Sequence, residues 1–198
     1  MPSSLSGKQM QKIREMWSSN SLDHDPLFRY YRDDGYFVIN NCLRYNILTP
    51  RFITIINRMI NTIMELPPLQ KEITVYRGLR FDEKFVIGSY YQELGFMSTS
   101  YVELMARRIS DKILEIRLPT STPFAFLELE LEILLPPRAK FVITNIEDEG
   151  NILMDFIGFD PIDYQPNYPE VPNTHHMDDI TYLYRLMDFY NIHKYDLE

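Results

Sequence analysis

Only one cysteine, Cys42, occurs in the 198 residues, so no internal disulfide can form and nothing here demands an oxidising compartment. Its place in an apolar-periodic stretch points to burial, not to catalysis. No apolar run approaches the ~20 residues that span a bilayer. Residues 1–10 are polar where a secretory signal would carry a hydrophobic region. The expectation is a soluble, intracellular protein without a membrane partner, unless other machinery carries it elsewhere. Basic residues are outnumbered: 20 Lys and Arg against 28 Asp and Glu give a formal net charge of −8. That excludes a general nucleic-acid binder, because phosphate backbones are held by basic surfaces. A local basic pocket for a small phosphate ligand is compatible with it. Among the 4 histidines, none has a spacing suited to activating a serine nucleophile. His175 and His176 are adjacent and not in metal-site spacing, so no metal is expected. No internal repeat is found.

What is present is ordinary for a soluble globular chain, with 45% apolar and 24% charged residues. The first third reads as helices. Residues 6–17 place Met10, Ile13, Met16 and Trp17 on one side. Asp25-Pro26 and Thr49-Pro50 each offer a cap followed by proline at the first helical position. The first opens a short helix through Tyr31 that Gly35 breaks, before another over residues 36–44. The second opens a longer helix that Pro67-Pro68 ends. From Ile73 the pattern turns to strands, expected at residues 73–76, 94–97, 113–118, 127–134, 140–146 and 152–159, with one short helix between Ser100 and Ile109. Gly150 suits a tight turn between the last two. Helices first and strands afterwards indicate an α+β domain over residues 1–160. Pro161, Pro166, Pro169 and Pro172, with tyrosines between them, predict an extended surface connector, and residues 178–190 a last helix. Residues 161–198 are thus expected as an appendage.

Four constellations carry chemistry. In Glu128-Leu-Glu-Leu-Glu-Ile-Leu-Leu-Pro-Pro137, acids and aliphatics alternate with the period of a strand. Leu127, Leu129, Leu131 and Ile133 would face a core, and Glu128, Glu130 and Glu132 the other side. Such a row of like charges wants open water, as on an edge strand, or a nearby cation. In Val75-Tyr-Arg77-Gly78, a guanidinium at a strand end can bind phosphate or carboxylate oxygens, and the glycine lets backbone approach a ligand. In Gly95-Phe-Met-Ser98-Thr99-Ser100, Ser100 with Glu103 has the form of a capping box. That leaves Ser98 and Thr99 at a strand end, where a hydroxyl could orient a carboxylate. Finally Asn40 and Arg44 share a helix face four residues apart and offer an amide and a guanidinium to one anionic group.

Jointly, in this order and spacing, the four resemble the exoenzyme-type mono-ADP-ribosyltransferases, a clade of actin- and Rho-modifying bacterial toxins marked by an arginine, a Ser-Thr-Ser and a Glu-x-Glu. The resemblance covers about residues 30–159. It implies an NAD cleft between two small packed β-sheets, with the N-terminal helices against one side. It gives Arg77 to the NAD phosphates and Gly78 to backbone contact with the nicotinamide carboxamide. Asn40 and Arg44 would grip the phosphates and the adenosine end. Ser98 would orient Glu132, the catalytic glutamate on the ribose 2′-hydroxyl, while Thr99 and Ser100 are structural. Glu130 would position the acceptor; a glutamate there goes with arginine acceptors, so the implied partner is a target protein bearing the modified arginine.

The stretch between the strand at 113–118 and Glu130 is shorter than the family's acceptor-recognition loop. Phe124 or Phe126 would be its aromatic contact or would pack in the core. Arg107 and Arg108 lie where the family places an arginine near the phosphates, or are helix-surface cations. An NAD glycohydrolase, and a binding module without turnover, are the competing readings.

Overall fold

Thr49 caps the longest helix as its side chain accepts from the Phe52 N–H at 3.2 Å, and proline follows at the first helical position. The computed structural model describes residues 6–79, 84–129, 131–147 and 150–192. Its helices are α1 (Gly7–Trp17), α2 (Pro26–Tyr30), α3 (Tyr36–Arg44), α4 (Pro50–Glu65), α5 (Glu103–Arg107) and α6 (Asp179–Phe189). Its strands are β1 (Ile73–Gly78), β2 (Tyr90–Glu93), β3 (Met97–Ser100), β4 (Ile113–Leu118), β5 (Ala125–Leu127), β6 (Glu132–Leu135), β7 (Ala139–Ile146) and β8 (Ile152–Phe159). Ser6 closes a capping box on α1 with Gln9, and the Asp25 side chain caps α2.

Gly35 does not break the chain into two helices. The helix widens through one π turn over Tyr31–Gly35, in which the Tyr36 N–H bonds back to the Tyr31 carbonyl. Gly35 is needed there because a Cβ would lie 2.3 Å from Cε1 of Tyr30. The widening has a geometric effect. In a regular helix Tyr31 and Asn40 would point about 180° apart, whereas one residue's worth of extra chain brings them within about 80°. The two side chains do meet, as described below.

The strands run in the order β2-β7-β8-β4-β1-β3-β6-β5. The two expected sheets are the halves of this series, joined where β1 meets β3 through the pair Tyr76–Ser100. β1 pairs antiparallel with β4 over six residues, and β3 with β6 over four. Gly150, at φ +86°, donates its N–H to the Glu147 carbonyl at 2.8 Å in the turn before β8.

Apolar residues form two cores. Helices α2, α3, α4 and α6 enclose Phe28, Ile39, Phe52 and Met59 against the β5–β6 face. Trp17, Val75, Ile116, Phe126 and Phe141 lie in the other, between and beside the strands. Phe124 and Phe126 are both buried, so they pack and do not present an aromatic surface. Helix α6 packs into the first core, with Tyr182, Leu183 and Leu186 fully buried. The Tyr182 hydroxyl bonds Glu170 at 2.7 Å.

Cys42 is fully buried on α3, and burial pushes its thiol pKa up to about 12. The thiolate is the reactive form, so Cys42 is expected to resist a maleimide or disulfide reagent in buffer. It should react within minutes in denaturant. Rapid labelling of folded protein would contradict this placement.

Candidate active site

The acidic stretch is not one strand. β5 ends at Leu127 and the chain turns before β6 begins at Glu132. Leu131 adopts φ +51°, a left-handed conformation costing a non-glycine residue about 1–2 kcal/mol. The turn is held from two sides. The Leu131 carbonyl accepts from the Ser100 hydroxyl at 3.2 Å and from the Tyr101 N–H at 3.3 Å, while the Leu131 side chain is buried. Glu128 is half-buried, with its N–H on an Asp23 oxygen at 2.6 Å. Leu129 is exposed. Glu130, expected to position the acceptor, lies outside the described residues.

Ser100 therefore does not cap α5. The residue preceding that helix is Val102, without a side-chain cap, and the Ser100 hydroxyl instead accepts the Val102 N–H at 3.1 Å and clamps the turn before Glu132. Thr99 is structural too, donating to the Ile133 carbonyl at 2.7 Å. Cross-strand register pairs Ser100 with Glu132 and Ser98 with Leu134. Directly opposed residues share a face, so Ser98 and Glu132 project to the same side, two residues apart along the ladder. Glu132 is only 4% exposed.

Arg77 comes to this place from the other half of the sheet. Its Nη1 donates to the Ser98 carbonyl at 3.2 Å. Arg44, at the end of α3, faces it across a carboxylate that the sequence pattern had not singled out. Glu93 accepts from Arg44 Nε and Nη2, both at 3.0 Å, and lies 3.6 Å from Arg77 Nη2. The Gly95 N–H completes its shell at 2.9 Å. Burial works against charge on the Arg44 guanidinium, but attraction to Glu93 more than offsets it, and its pKa is raised. A lone glutamate closing the run Tyr-Tyr-Gln-Glu reads as a solvated strand end. Only the nearby Gly95 hinted at crowding.

Asn40, expected to grip the phosphates and the adenosine end, lies on α3 facing the segment before β3. It is buried, and its amide spans one peptide of the facing segment. Oδ1 accepts the Phe96 N–H at 2.8 Å, and Nδ2 donates to the Phe96 carbonyl at 3.2 Å and the Tyr31 hydroxyl at 3.0 Å. Asn40 thus fixes the approach to Ser98 from behind. Tyr31 is fully buried, and burial raises its pKa well above the usual phenol range, with Glu132 and Glu93 adding to the effect and Asn40 and Arg77 opposing it. Its phenol is a neutral post among these charges.

The two glycines act through packing. A Cβ on Gly78 would fall 2.6 Å from the Ala106 carbonyl and 2.7 Å from Ile109 Cβ, so the close approach it permits is that of the α5 end. A Cβ on Gly95 would sit 2.6 Å from Asn40 Oδ1. Gly95→Ala is expected to dislodge the Asn40 bridge and cost about 1–3 kcal/mol, as overpacking does, a loss that urea titration would register. Arg107 is engaged by Glu103 at 2.7 Å and by the Asp111 carbonyl at 3.0 Å, the bonds of a helix-surface cation. Among the described residues no cluster of three or more His, Cys, Asp or Glu could hold a metal, and no helix is long and apolar enough to cross a membrane.

A family model described as ADP-ribosyltransferase exoenzyme matches residues 7–155. No curated protein matches the sequence. Among solved structures, C3larvin toxin, an ADP-ribosyltransferase from Paenibacillus larvae, is 18% identical with a TM-score of 0.60, over 75% of this chain and 94% of its own. C3stau2 from S. aureus, solved with NAD, is 17% identical with a TM-score of 0.61, over 81% and 99%. Vis toxin, an ADP-ribosyltransferase from Vibrio splendidus, is 19% identical with a TM-score of 0.58, over 79% and 88%. At these identities the likeness is one of fold.

Proposed function

The chain belongs to the ADP-ribosyltransferase exoenzyme family, and from that premise we propose that it transfers ADP-ribose from NAD to an arginine side chain of a target protein. The observation that carries the proposal is the convergence of Arg44, Arg77, Ser98 and the buried Glu132 from α3, β1, β3 and β6. Two guanidiniums held about one carboxylate suit a diphosphate, since each presents further N–H groups in a fixed plane. In this reading the backbone at Gly78 holds the nicotinamide carboxamide, and Ser98 orients Glu132. Cleaving the nicotinamide–ribose bond develops positive charge on the sugar, as in glycoside cleavage. A carboxylate already fixed at Glu132 stabilises that charge more than it stabilises the ground state, which is the condition for acceleration.

Arginine as acceptor rests on the glutamate at Glu130, whose second carboxylate would attract a guanidinium and help remove its proton. C3stau2 is seen with NAD, and Vis with agmatine, a compound carrying the arginine side chain's guanidinium. The test follows from the chemistry. Incubated with NAD and agmatine, the protein is expected to release nicotinamide and form ADP-ribosyl-agmatine, resolved by mass spectrometry. Nicotinamide with free ADP-ribose alone, whatever guanidine or protein is offered, would make it a glycohydrolase. No release at all, with a lysate supplied as acceptor, would leave only a binding module.

A further inference from the structure

Three consecutive residues ahead of α2 are tied to β5 and to the turn that follows it. Ser21 forms a bridge with Phe126, and the Leu22 N–H donates to the Phe126 carbonyl at 3.2 Å. Asp23 reaches one residue beyond β5, where its Oδ2 accepts the Glu128 N–H at 2.6 Å. A carboxylate accepting from backbone N–H makes a charge-assisted bond, stronger than a neutral one. Glu128 opens the turn that leads into Glu132, and its carbonyl accepts the Leu131 N–H at 3.3 Å. The turn thus has two feet. Ser100 clamps the one at Leu131, and Asp23 the one at Glu128.

The Asp23 carboxylate is itself held. Its other oxygen pairs with Arg32 Nη1. That guanidinium is 9% exposed and is steadied by Asp33, which accepts from Nε at 2.8 Å. Arg32 lies in the π turn Tyr31–Gly35. Its predecessor Tyr31 donates to the Phe96 carbonyl at 3.4 Å, just ahead of β3. Two consecutive residues of one widened helix turn therefore brace the approaches to Ser98 and to Glu132. Neither Asp23 nor Arg32 belongs to the four sequence motifs.

We infer that Asp23, fixed by Arg32, is a positioning residue that governs how ADP-ribose divides between a guanidine and water. The inference rests on the transferase reading above, in which Glu130, two residues after Glu128 in sequence, serves the acceptor. In both paths the bond from ribose C1′ to nicotinamide breaks, and nicotinamide leaves with the electron pair. C1′ then bonds either a guanidine nitrogen or a water oxygen, and either one sheds a proton. Water needs little orientation, whereas a guanidine must present one nitrogen in line with C1′. Loosening the Glu128 foot therefore harms transfer and spares hydrolysis. Glu132 keeps its place, because it is paired on both sides, with Ser100 and with Leu127.

The test incubates the full chain with NAD, with and without agmatine, and measures nicotinamide, ADP-ribosyl-agmatine and free ADP-ribose. It compares wild type with Asp23→Ala, Asp23→Asn, Arg32→Ala and the double alanine variant. Asp23→Ala is expected to lower the ratio of ADP-ribosyl-agmatine to free ADP-ribose about tenfold, the lower range for a lost hydrogen bond to a charged group. KM for agmatine should rise, while KM for NAD and nicotinamide release without agmatine stay within about twofold. Asp23→Asn keeps an acceptor oxygen but no charge for Arg32, and its ratio should fall in between. Arg32→Ala should shift the same ratio, and the double variant no further than Asp23→Ala, because Arg32 acts through Asp23. A purely structural pair would lower transfer and hydrolysis together, in step with the urea midpoint, and that result overturns the assignment. So does an unchanged ratio in Asp23→Ala or, should that variant not fold, in Asp23→Asn. If wild type forms no ADP-ribosyl-agmatine, the transferase reading falls and this role with it.

Discussion

Glu132→Gln is expected to lower the rate of nicotinamide release by about a thousandfold, the upper range for removing one preorganised electrostatic contact to a transition state. The substitution keeps the shape of the side chain and removes its charge. Glu132 is buried at the head of β6, and the turn before it is fastened by Ser100 through the Leu131 carbonyl. The glutamine should therefore stand where the carboxylate stood. NAD binding should change by no more than a few-fold, since the resemblance gives Glu132 a ribose hydroxyl that an amide oxygen can also engage. A loss confined to kcat is the signature of an interaction strengthened in the transition state. Paired calorimetry and single-turnover kinetics separate the two quantities. Equal turnover by the variant would end the assignment of Glu132, and a large rise in KM with normal kcat would make it a binding residue only.

Glu93→Gln is the second large effect, and it is felt in stability as well as in binding. Glu93 is 4% exposed and accepts two hydrogen bonds from Arg44 and one from the Gly95 N–H. Hydrogen bonds to charged groups contribute about 1.5–3 kcal/mol each, but Arg44 and Arg77 are 31% and 26% exposed, so water screens part of that. A net destabilisation of about 2–3 kcal/mol is expected, measurable as a lower urea midpoint at unchanged slope. Two opposing effects act on NAD. Removing the carboxylate leaves more positive charge for the diphosphate, while the fork that holds Arg44 in plane loses an acceptor and gains an amide donor facing the same guanidinium. The second should win, because a misdirected guanidinium loses its paired geometry altogether. KM for NAD is expected to rise about tenfold, the equivalent of about 1.4 kcal/mol, with kcat much less affected. A lower KM would show that Glu93 competes with the diphosphate more than it prepares the site.

These two glutamates mark what could and could not be read in advance. Glu132 stood within a Glu-x-Glu followed by Ile-Leu-Leu-Pro, a pattern long enough to be compared with a family. Glu93 stood alone, and no spacing rule marks a carboxylate whose partners lie 49 positions back and 16 positions back in the chain. The ends of β4 and β8 matched the sequence reading, as did the starts of α2 and α4, because Asx/Thr-Pro starts and β-branched runs are local signals. The acidic strand did not, since alternation of Leu and Glu says nothing of a left-handed residue at Leu131. Ser100 and Glu103 had the spacing of a capping box, yet the Leu131 carbonyl across the sheet was a better use of the hydroxyl. Nor did the proline-rich character of residues 161–172 disclose the burial of α6, whose apolar face found partners on α2 and α3. Arg44, Arg77 and Ser98 were legible as residue types, but their meeting is a property of the fold.

The seam between the halves of the sheet bears on all of this. Arg77 stands on one bank and Ser98 with Glu132 on the other, and the strands that carry them share one rung, Tyr76 with Ser100. A sheet interior would hold such strands at fixed separation over their whole length. Here the ladder joins the two banks at one rung, with α5 packed on both strands and the Arg77 guanidinium bonded to the Ser98 carbonyl across the gap. The same guanidinium that would greet a substrate therefore also spans the gap it enters.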